Sequence, residues 1–418
     1  MGYFVNIKSI KLILSAGLLF LTLGCSSISD MSDSLGISNK DKPVVKAPTE
    51  KQALKLAVKK EPFYNENFEQ NPVKIAILVP LSGTYAKIGR ELLDSAQLAL
   101  FDLKHKNITL VPVDTGNNNN AKASSAAELL ISQNIKIAIG PLFSDTTRII
   151  NNMVKDKNIK IISFSNDRAL AKTGANILGL SVEEQIERVI SYALDRCEIK
   201  RYIAVLPRNA YGLVVEKQAQ QMVSLNGVFN PIYYERLPTD YSDIIKQIND
   251  FANENNNLPN LTSKCNDIKT ALLLPEAGIV TSKVTEGLND NIFSKKILIL
   301  GSSKWDDNSL LANNYLEGAI FPTMQSDKQQ EFKQNFLHTY NYKPDNIASI
   351  AYDAMSLAVM LSGFNKEDQN ILNNPRGFVG IDGIFRFNNN GLAERSLAII
   401  RIKQHNFEVL DQNPSFFR

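Results

Sequence analysis

Hydroxyl, amide and aromatic side chains follow the predicted strands of this 418-residue chain, and their chemistry is that of ligand binding. Such groups suit a small polar ligand or a polypeptide segment, because they combine hydrogen bonds with aromatic contact. The candidates are Ser82, Tyr85, Ser144, Ser165, Asn166, Tyr211, Ser303 and Trp305. Trp305 is the only tryptophan. It could form a lid or interface anchor, or it could pack inside the protein, and the sequence leaves these interpretations open.

Ser144 opens a predicted helix, where two interpretations are open. A helix N-terminus directs N–H groups and the positive end of its dipole outwards, which favours a carboxylate. Serine is also a common helix N-cap. The sequence therefore predicts either a ligand contact or a cap at Ser144.

The sequence contains no motif for catalysis, metal binding or phosphate binding. The chain has no G-x-S-x-G elbow and no Cys/His pair at a strand end that would join a nucleophile to a base. The histidines, His105, His338 and His405, are far apart and fit no metal-site spacing. Gly83 and Gly89 are too widely spaced for a phosphate-binding loop. We therefore expect no enzyme activity, no metal and no cofactor.

The charge balance indicates no nucleic-acid partner. The chain has 46 Lys and Arg residues against 43 Asp and Glu residues, a net charge of +3. Nucleic-acid-binding domains carry a much stronger basic surface.

Short apolar strands alternate with helical periods from Val73 onward, and these elements must position the candidate residues. Nearly continuous apolar strands are typical of parallel sheets that are covered on both faces. The first four are 73–81, 108–115, 135–142 and 159–166. The pattern restarts near Leu180, which predicts an α/β fold with two doubly wound parallel-sheet lobes. Ligands bind at the carboxyl ends of such strands, so we expect the candidates to line an interlobe cleft.

The first 24 residues have the layout of an export signal. Lys8 and Lys11 precede the apolar run LILSAGLLFLTLGC, which is short for a membrane span. The segment resembles a bacterial lipoprotein signal, although Thr22 stands where that family prefers leucine. The resemblance implies acylation of Cys25 and, since no aspartate follows it, the outer membrane. We expect a lipid-anchored protein of the cell envelope that faces the periplasm; a plain secreted protein is the alternative.

Residues 25–71 and two cysteines complete the organisation of the chain. The segment 25–71 is rich in Ser, Lys, Asp, Asn and Pro and predicts a flexible tether. Cys197 and Cys265 would lie in an oxidising compartment, each shortly before a predicted strand, so a disulfide between them is possible. Two separately buried thiols are the alternative.

Several motifs resemble type 1 periplasmic binding proteins of the branched-chain amino-acid class. These are ILVPLSGTYAKIGRELLDSAQLAL, IAIGPLFSDTT, IISFSND and PRNAYG. LGSSKWDD, ASIAYDAMSLA and VGIDGIFRFNNNGLAERSLAIIRI are more narrowly similar to lipoproteins called penicillin-binding protein activators. The resemblance implies three crossings between lobes, near Leu180, Phe321 and Asp382. Lobe 1 would then comprise 72–180 and 322–382, and lobe 2 would comprise 181–321 and 383–412.

The resemblance implies two alternative functions. The first is a non-enzymatic, lipid-anchored activator of a penicillin-binding protein in peptidoglycan synthesis. The alternative is the substrate-binding protein of an amino-acid ABC transporter of the branched-chain type, with the permease as its partner.

Amino-acid-binding relatives differ from this chain at the ligand. In them the residue matching Ser144 holds the ligand carboxylate, and a tyrosine matching Tyr211 closes over it. They place an acidic residue for the ammonium near the position of Ser303, where this chain continues with Lys304. Asp167 stands where they have a small hydroxyl residue, and it would repel a carboxylate unless paired. We therefore expect weak binding of free amino acids.

Overall fold

The computed structural model describes residues 72–104, 107–224, 227–254, 268–289, 297–363, 371–414 and 417. These residues lie in one unit, Pro62–Arg418. The predicted signal peptide, the tether, Cys25 and Cys265 lie outside the described residues.

Lobe 1 is built on a five-stranded parallel sheet in the order β2-β1-β3-β4-β5. Its elements are β1 (Val73–Val79), α1 (Ala86–Leu103), β2 (Ile108–Asp114), α2 (Asn120–Ser132), β3 (Ile137–Ile139), α3 (Ser144–Val154), β4 (Lys160–Ser163) and β5 (Asn176–Ile177). The segment Ile75–Val79 of β1 is fully buried because helices cover both faces of the sheet.

Lobe 2 is built on a seven-stranded sheet in the order β15-β14-β10-β9-β8-β6-β7. Its first elements are α4 (Val182–Cys197), β6 (Arg201–Pro207), α5 (Ala210–Val223), β7 (Val228–Tyr234), α6 (Ser242–Glu254), β8 (Thr270–Leu273), α7 (Ile279–Asn289), β9 (Ile297–Leu300) and β10 (Ile320–Thr323). Strands β6 to β10 are parallel. The prediction of two doubly wound α/β lobes is confirmed.

The last part of the chain is shared between the lobes. Its elements are α8 (Asp327–Tyr340), α9 (Ser349–Ser362), β11 (Phe378–Gly380), β12 (Gly383–Phe387), β13 (Ala393–Arg395), β14 (Ala398–Lys403) and β15 (Asn406–Asp411). Helix α9 packs against α1 in the lobe 1 core. Strands β14 and β15 form the antiparallel edge of the lobe 2 sheet.

The third crossing differs from the position predicted near Asp382. The antiparallel strands β12 and β13 place Phe385, Phe387 and Ala393 in the lobe 1 core. Leu392 also bridges to Ile177 at the edge of the lobe 1 sheet. Residues 383–395 therefore belong to lobe 1, and the chain returns to lobe 2 only at β14. The physical reason is the alternating apolar pattern of GIFRF, which buries its rings against α9.

Two glycines let helices start close to strand ends. A Cβ at Gly89 in α1 would overlap the carbonyl oxygen of Pro80, just after β1. In lobe 2, a Cβ at Gly212 in α5 would likewise overlap the carbonyl oxygen of Pro207. The widely spaced Gly83 and Gly89 are thus explained in part by packing, since Gly89 serves the contact between helix and strand.

Within the described ranges, none of the helices has the length and apolar character needed to cross a membrane.

Candidate functional site

A cavity of about 610 Å³ lies between the two lobes. Lobe 1 contributes Tyr85, Phe143, Ser165 and Asn166, and lobe 2 contributes Gln185, Tyr211, Ser303 and Lys304. Tyr85 and Phe143 form an edge-to-face aromatic pair with ring centroids 5.0 Å apart. The cavity thus combines aromatic surface with hydroxyl, amide and charged groups, as ligand pockets do.

The structure brings five of the eight predicted site residues to this cavity. They are Tyr85, Ser165, Asn166, Tyr211 and Ser303. Ser82, Ser144 and Trp305 do not line it, and each has a different place.

Ser82 helps to hold the loop that follows β1. Its hydroxyl and Asp114 Oδ2 both accept hydrogen bonds from Lys122 Nζ, at 2.7 and 2.6 Å. Asp114 Oδ1 also accepts from the backbone N–H groups of Leu81 and Gly116. Burial opposes the charge, but these hydrogen bonds hold the pKa of Asp114 well below its usual range. The loop carrying Tyr85 is therefore fixed to the end of β2.

Ser144 supports the cavity from behind. Helix α3 has Phe143 at its N-cap and no side-chain cap, so the predicted capping role is absent. The hydroxyls of Ser144 and Ser165 are hydrogen-bonded at 2.9 Å. The Asp167 carboxylate is paired, lying 3.7 Å from Arg148 Nη2. The predicted repulsion from Asp167 is therefore reduced by a neighbouring cation.

Trp305 packs inside lobe 2 and does not form a lid over the cavity. Its side chain is fully buried in the lobe 2 core, where it contacts the Phe321 ring. Its Nε1 donates to the carbonyl oxygen of Glu276 at 3.3 Å. The short turn Ser303–Trp305 directs the indole inwards, and Gly301 leaves room for it, since a Cβ there would overlap the ring.

The sequence interpretation missed a carboxylate, Glu276, that does not line the cavity itself but contacts Lys304, which does. Glu276 follows β8 and accepts hydrogen bonds from Lys304 Nζ at 3.3 Å and from the Tyr234 hydroxyl at 2.6 Å. Lys304 Nζ also lies 3.7 Å from the ring centroid of Tyr211. The acid was sought near Ser303; the signal that could have found it is the carboxylate at the strand end in LLLPE.

Tyr211 is fixed within lobe 2 through its hydroxyl. This group donates to the carbonyl oxygen of Pro275 at 3.0 Å. Burial raises the pKa of Tyr211 to about 12, so the phenol is neutral at physiological pH. Beside it, Gln185 Oε1 accepts from both the N–H and the hydroxyl of Ser303, which ties the turn to α4.

Arg395 lies where the chain passes between the lobes, and it lines the cavity. Its side chain is only 8% exposed. Nε donates to the carbonyl oxygen of Leu178 at 3.0 Å, and Nη1 lies 3.5 Å from Met324 Sδ. In the described part of the chain, Nη2 has no hydrogen-bond partner. A buried donor without a partner is costly, which makes this guanidinium a candidate for binding an acceptor.

Two buried carboxyl groups lie beside the cavity. Asp382 lines it and accepts from Gln329 at 2.9 Å and from the Ser349 hydroxyl at 2.6 Å. Asp353 Oδ1 accepts from the Ile381 N–H at 2.7 Å. Burial, followed by the charge of Asp382, raises the pKa of Asp353 to about 7.

Cys197 lies buried at the end of α4 and takes part in a disulfide bond. Its predicted partner, Cys265, lies outside the described residues, so the pairing stays a prediction. Among the residues that the structure describes, no group of three or more His, Cys, Asp or Glu side chains is placed to hold a metal ion.

Two α/β lobes with a ligand-sized cleft between them define the class of two-lobed binding proteins. The chain belongs to the periplasmic binding protein family, whose model matches residues 72–404. Its fold is that of the type 1, branched-chain amino-acid-binding-like superfamily.

Relatives and solved structures are similar to most of the chain. An uncharacterized protein of Rickettsia prowazekii is 23% identical over 338 residues, which cover 80% of this chain and 87% of that protein. An ABC transporter substrate-binding protein from Desulfitobacterium hafniense, solved in complex with Leu, has a TM-score of 0.60 at 16% identity, covering 81% of this chain and 100% of the other. A solute-binding protein of an R. palustris ABC transporter, solved with benzoate, has a TM-score of 0.56 at 15% identity, covering 82% and 96%. At these identities the solved structures establish the fold alone.

Proposed function

We propose that this protein is a non-enzymatic solute-binding protein that captures a small organic ligand between its lobes and presents it to an ABC permease. The interlobe cavity carries the proposal. Its volume of about 610 Å³ lies within the range of roughly 300–1,000 Å³ that is usual for small-molecule pockets. Its lining combines aromatic rings with a few convergent polar groups.

The relatives support this choice over the alternative. Solved proteins of the same fold are described as ABC transporter proteins that bind leucine or benzoate. The interpretation as an activator of a penicillin-binding protein rests on sequence motifs and gains no support from these relatives. We therefore place the solute-binding function first, which reverses the order given by the sequence motifs.

The location of the protein is also proposed. The family is periplasmic, which supports a place in the cell envelope. The lipid anchor at Cys25 and the outer membrane are inferred from the first residues of the sequence alone.

Ligand screening by thermal unfolding tests the function. A ligand at 100 times its Kd should stabilise the folded state by about 2.7 kcal/mol. The panel should contain amino acids, aliphatic acids and aromatic acids. Asn166→Phe should abolish the shift, because Asn166 lies exposed in the cavity and phenylalanine would fill it.

Asn152→Phe is the matched control. Asn152 is exposed on α3 and does not line the cavity, so this variant should keep the shift. If no small molecule raises the melting temperature, and crosslinking in the envelope captures a penicillin-binding protein, the activator interpretation is correct instead.

A further inference from the structure

The ammonium group of Lys304 lies between an aromatic face and a carboxylate, a favourable position for any cation. Its Nζ is 3.7 Å from the ring centroid of Tyr211 and 3.3 Å from Glu276 Oε1. A cation over an aromatic ring within roughly 6 Å of the centroid is attracted by the ring quadrupole. Lys304 and Tyr211 both line the interlobe cavity. The chain thus supplies its own cation to this position.

We propose that Lys304 is a built-in occupant of this cation position, and that the cleft therefore selects carboxylic acids without an amino group over zwitterionic amino acids. The inference rests on the proposed solute-binding function and names its ligand class. It follows from which groups at the cavity already have partners.

The carboxylate of Glu276 lies behind Lys304 rather than in the cavity lining, and both of its oxygens already have partners. Glu276 Oε1 accepts from Lys304, and Glu276 Oε2 accepts from the Tyr234 hydroxyl at 2.6 Å. The Tyr211 ring face is covered by the same lysine. A ligand amine would have to displace Lys304, and the displaced ammonium would lose both contacts.

The cationic side chains that line the cavity, in contrast, still have donors without a protein partner among the described residues. A lysine ammonium has three donors, and one of those of Lys304 is directed to Glu276. Arg395 Nη2 has no partner in the described chain. The acidic groups that line the cavity accept from the protein itself: Asp306 from Thr323, and Asp382 from Gln329 and Ser349. Lys304 and Arg395 therefore offer positive charge to a ligand anion, whereas Asp382 and one oxygen of Asp306 are already engaged by the protein.

Matched pairs of probes test this selectivity by calorimetric titration of the full chain. Leucine is paired with isocaproate, and phenylalanine with hydrocinnamate, because the members of each pair differ only in the amino group. We expect wild type to bind the acid of a pair at least about tenfold more tightly than the amino acid, a difference of about 1.4 kcal/mol.

Lys304→Ala should reverse this preference. The variant vacates the position between Tyr211 and Glu276, so it should lose acid affinity and gain affinity for the amino acid. Lys217→Ala is the matched control: it removes one positive charge from an exposed site on α5 and should keep the wild-type preference. Lys304→Met, whose apolar side chain still covers the Tyr211 ring, should lose acid affinity without gaining amino-acid affinity.

The outcomes separate the two proposals. If wild type binds leucine or phenylalanine as tightly as the matching acid, the selectivity is overturned while the solute-binding function stands. An acid preference that persists in Lys304→Ala also overturns it, and unchanged melting temperatures confirm that the variants are folded. If neither the probes nor the screened panel bind to wild type, the solute-binding function itself is overturned.

Discussion

Asp353 has the least favourable charge environment of the side chains discussed above. It lies on α9, only 3% exposed, and its Oδ2 has no hydrogen-bond partner in the described chain. Burial and the nearby Asp382 carboxylate raise its pKa to about 7 from a reference value of 3.8. Between these two pH values, the folded protein therefore keeps a proton on Asp353 that the unfolded chain has lost.

We expect Asp353 to make stability fall as the pH rises. Between about pH 4 and about pH 7, the folded state keeps a proton on Asp353 that the unfolded state releases. The stabilising contribution of protonated Asp353 is therefore fully present below about pH 4 and is lost as the pH rises through about 7. Asp353→Asn keeps the shape but cannot ionise. Its melting temperature relative to wild type should therefore rise between about pH 5 and about pH 8.

The exposed Asp156→Asn serves as the control, since Asp156 lies on the surface. If its melting temperature relative to wild type changes with pH as much as that of Asp353→Asn, the buried carboxyl is not the cause.

Residue types and their positions at strand ends predicted much of the site, but the sequence did not predict the direction in which each side chain points. Tyr85, Ser165 and Tyr211 follow strands and do line the cavity. Trp305 lies in an equivalent loop, yet a three-residue turn sends its indole into the core. Glu276 follows β8, and it was missed because the acid was sought after the next strand, β9, near Ser303.

At the scale of elements, each lobe contains a helix whose first turns pack tightly against the end of the preceding strand. In lobe 1 this is α1, where Gly89 faces the Pro80 carbonyl, and in lobe 2 it is α5, where Gly212 faces the Pro207 carbonyl. The missing side chain lets each helix lie directly against the strand end. Both helices start beside the cleft, so their positions also set those of Tyr85 and Tyr211.

Gly89→Ala should destabilise the protein although alanine favours helices. The added methyl group must push α1 away from Pro80, and overpacking of this kind costs about 1–3 kcal/mol. Gly363→Ala, at the end of α9, should be nearly neutral, because its Cβ would meet the Met360 carbonyl oxygen at an ordinary 3.5 Å. Urea unfolding of the two variants measures the difference; equal midpoints would contradict the packing argument.

Apolar periodicity predicts the order of strands and helices, but it does not predict which lobe each hairpin packs against. GIFRF and LAIIRI are both short alternating strands, and the sequence assigned both to lobe 2. Only packing separates them: Phe385 and Phe387 are buried on lobe 1, whereas Ile399 and Ile400 are buried in lobe 2. The third crossing was therefore predicted too early.

At the scale of the whole molecule, we propose that Cys25, which lies outside the described residues, carries a lipid anchor. We expect a fatty-acid probe to label the wild-type protein and not Cys25→Ser, because the acyl chains would be carried by Cys25. Each buried CH₂ group contributes about 0.8 kcal/mol, so loss of the chains should also release the protein from membranes. Ser27→Ala should keep the label and the membrane fraction. A labelled Cys25→Ser protein would place the anchor elsewhere.

The interleaved path of the chain also restricts when either lobe can fold during synthesis. Lobe 1 needs α9 and the β12–β13 hairpin to cover its sheet, and lobe 2 needs β14 beside β10. Lobe 1 therefore stays incomplete until residue 395 has left the ribosome, and lobe 2 until β14 has left it. Multidomain chains often fold their N-terminal domain first. Here a ribosome that stops after α8 would release two open cores and no finished lobe.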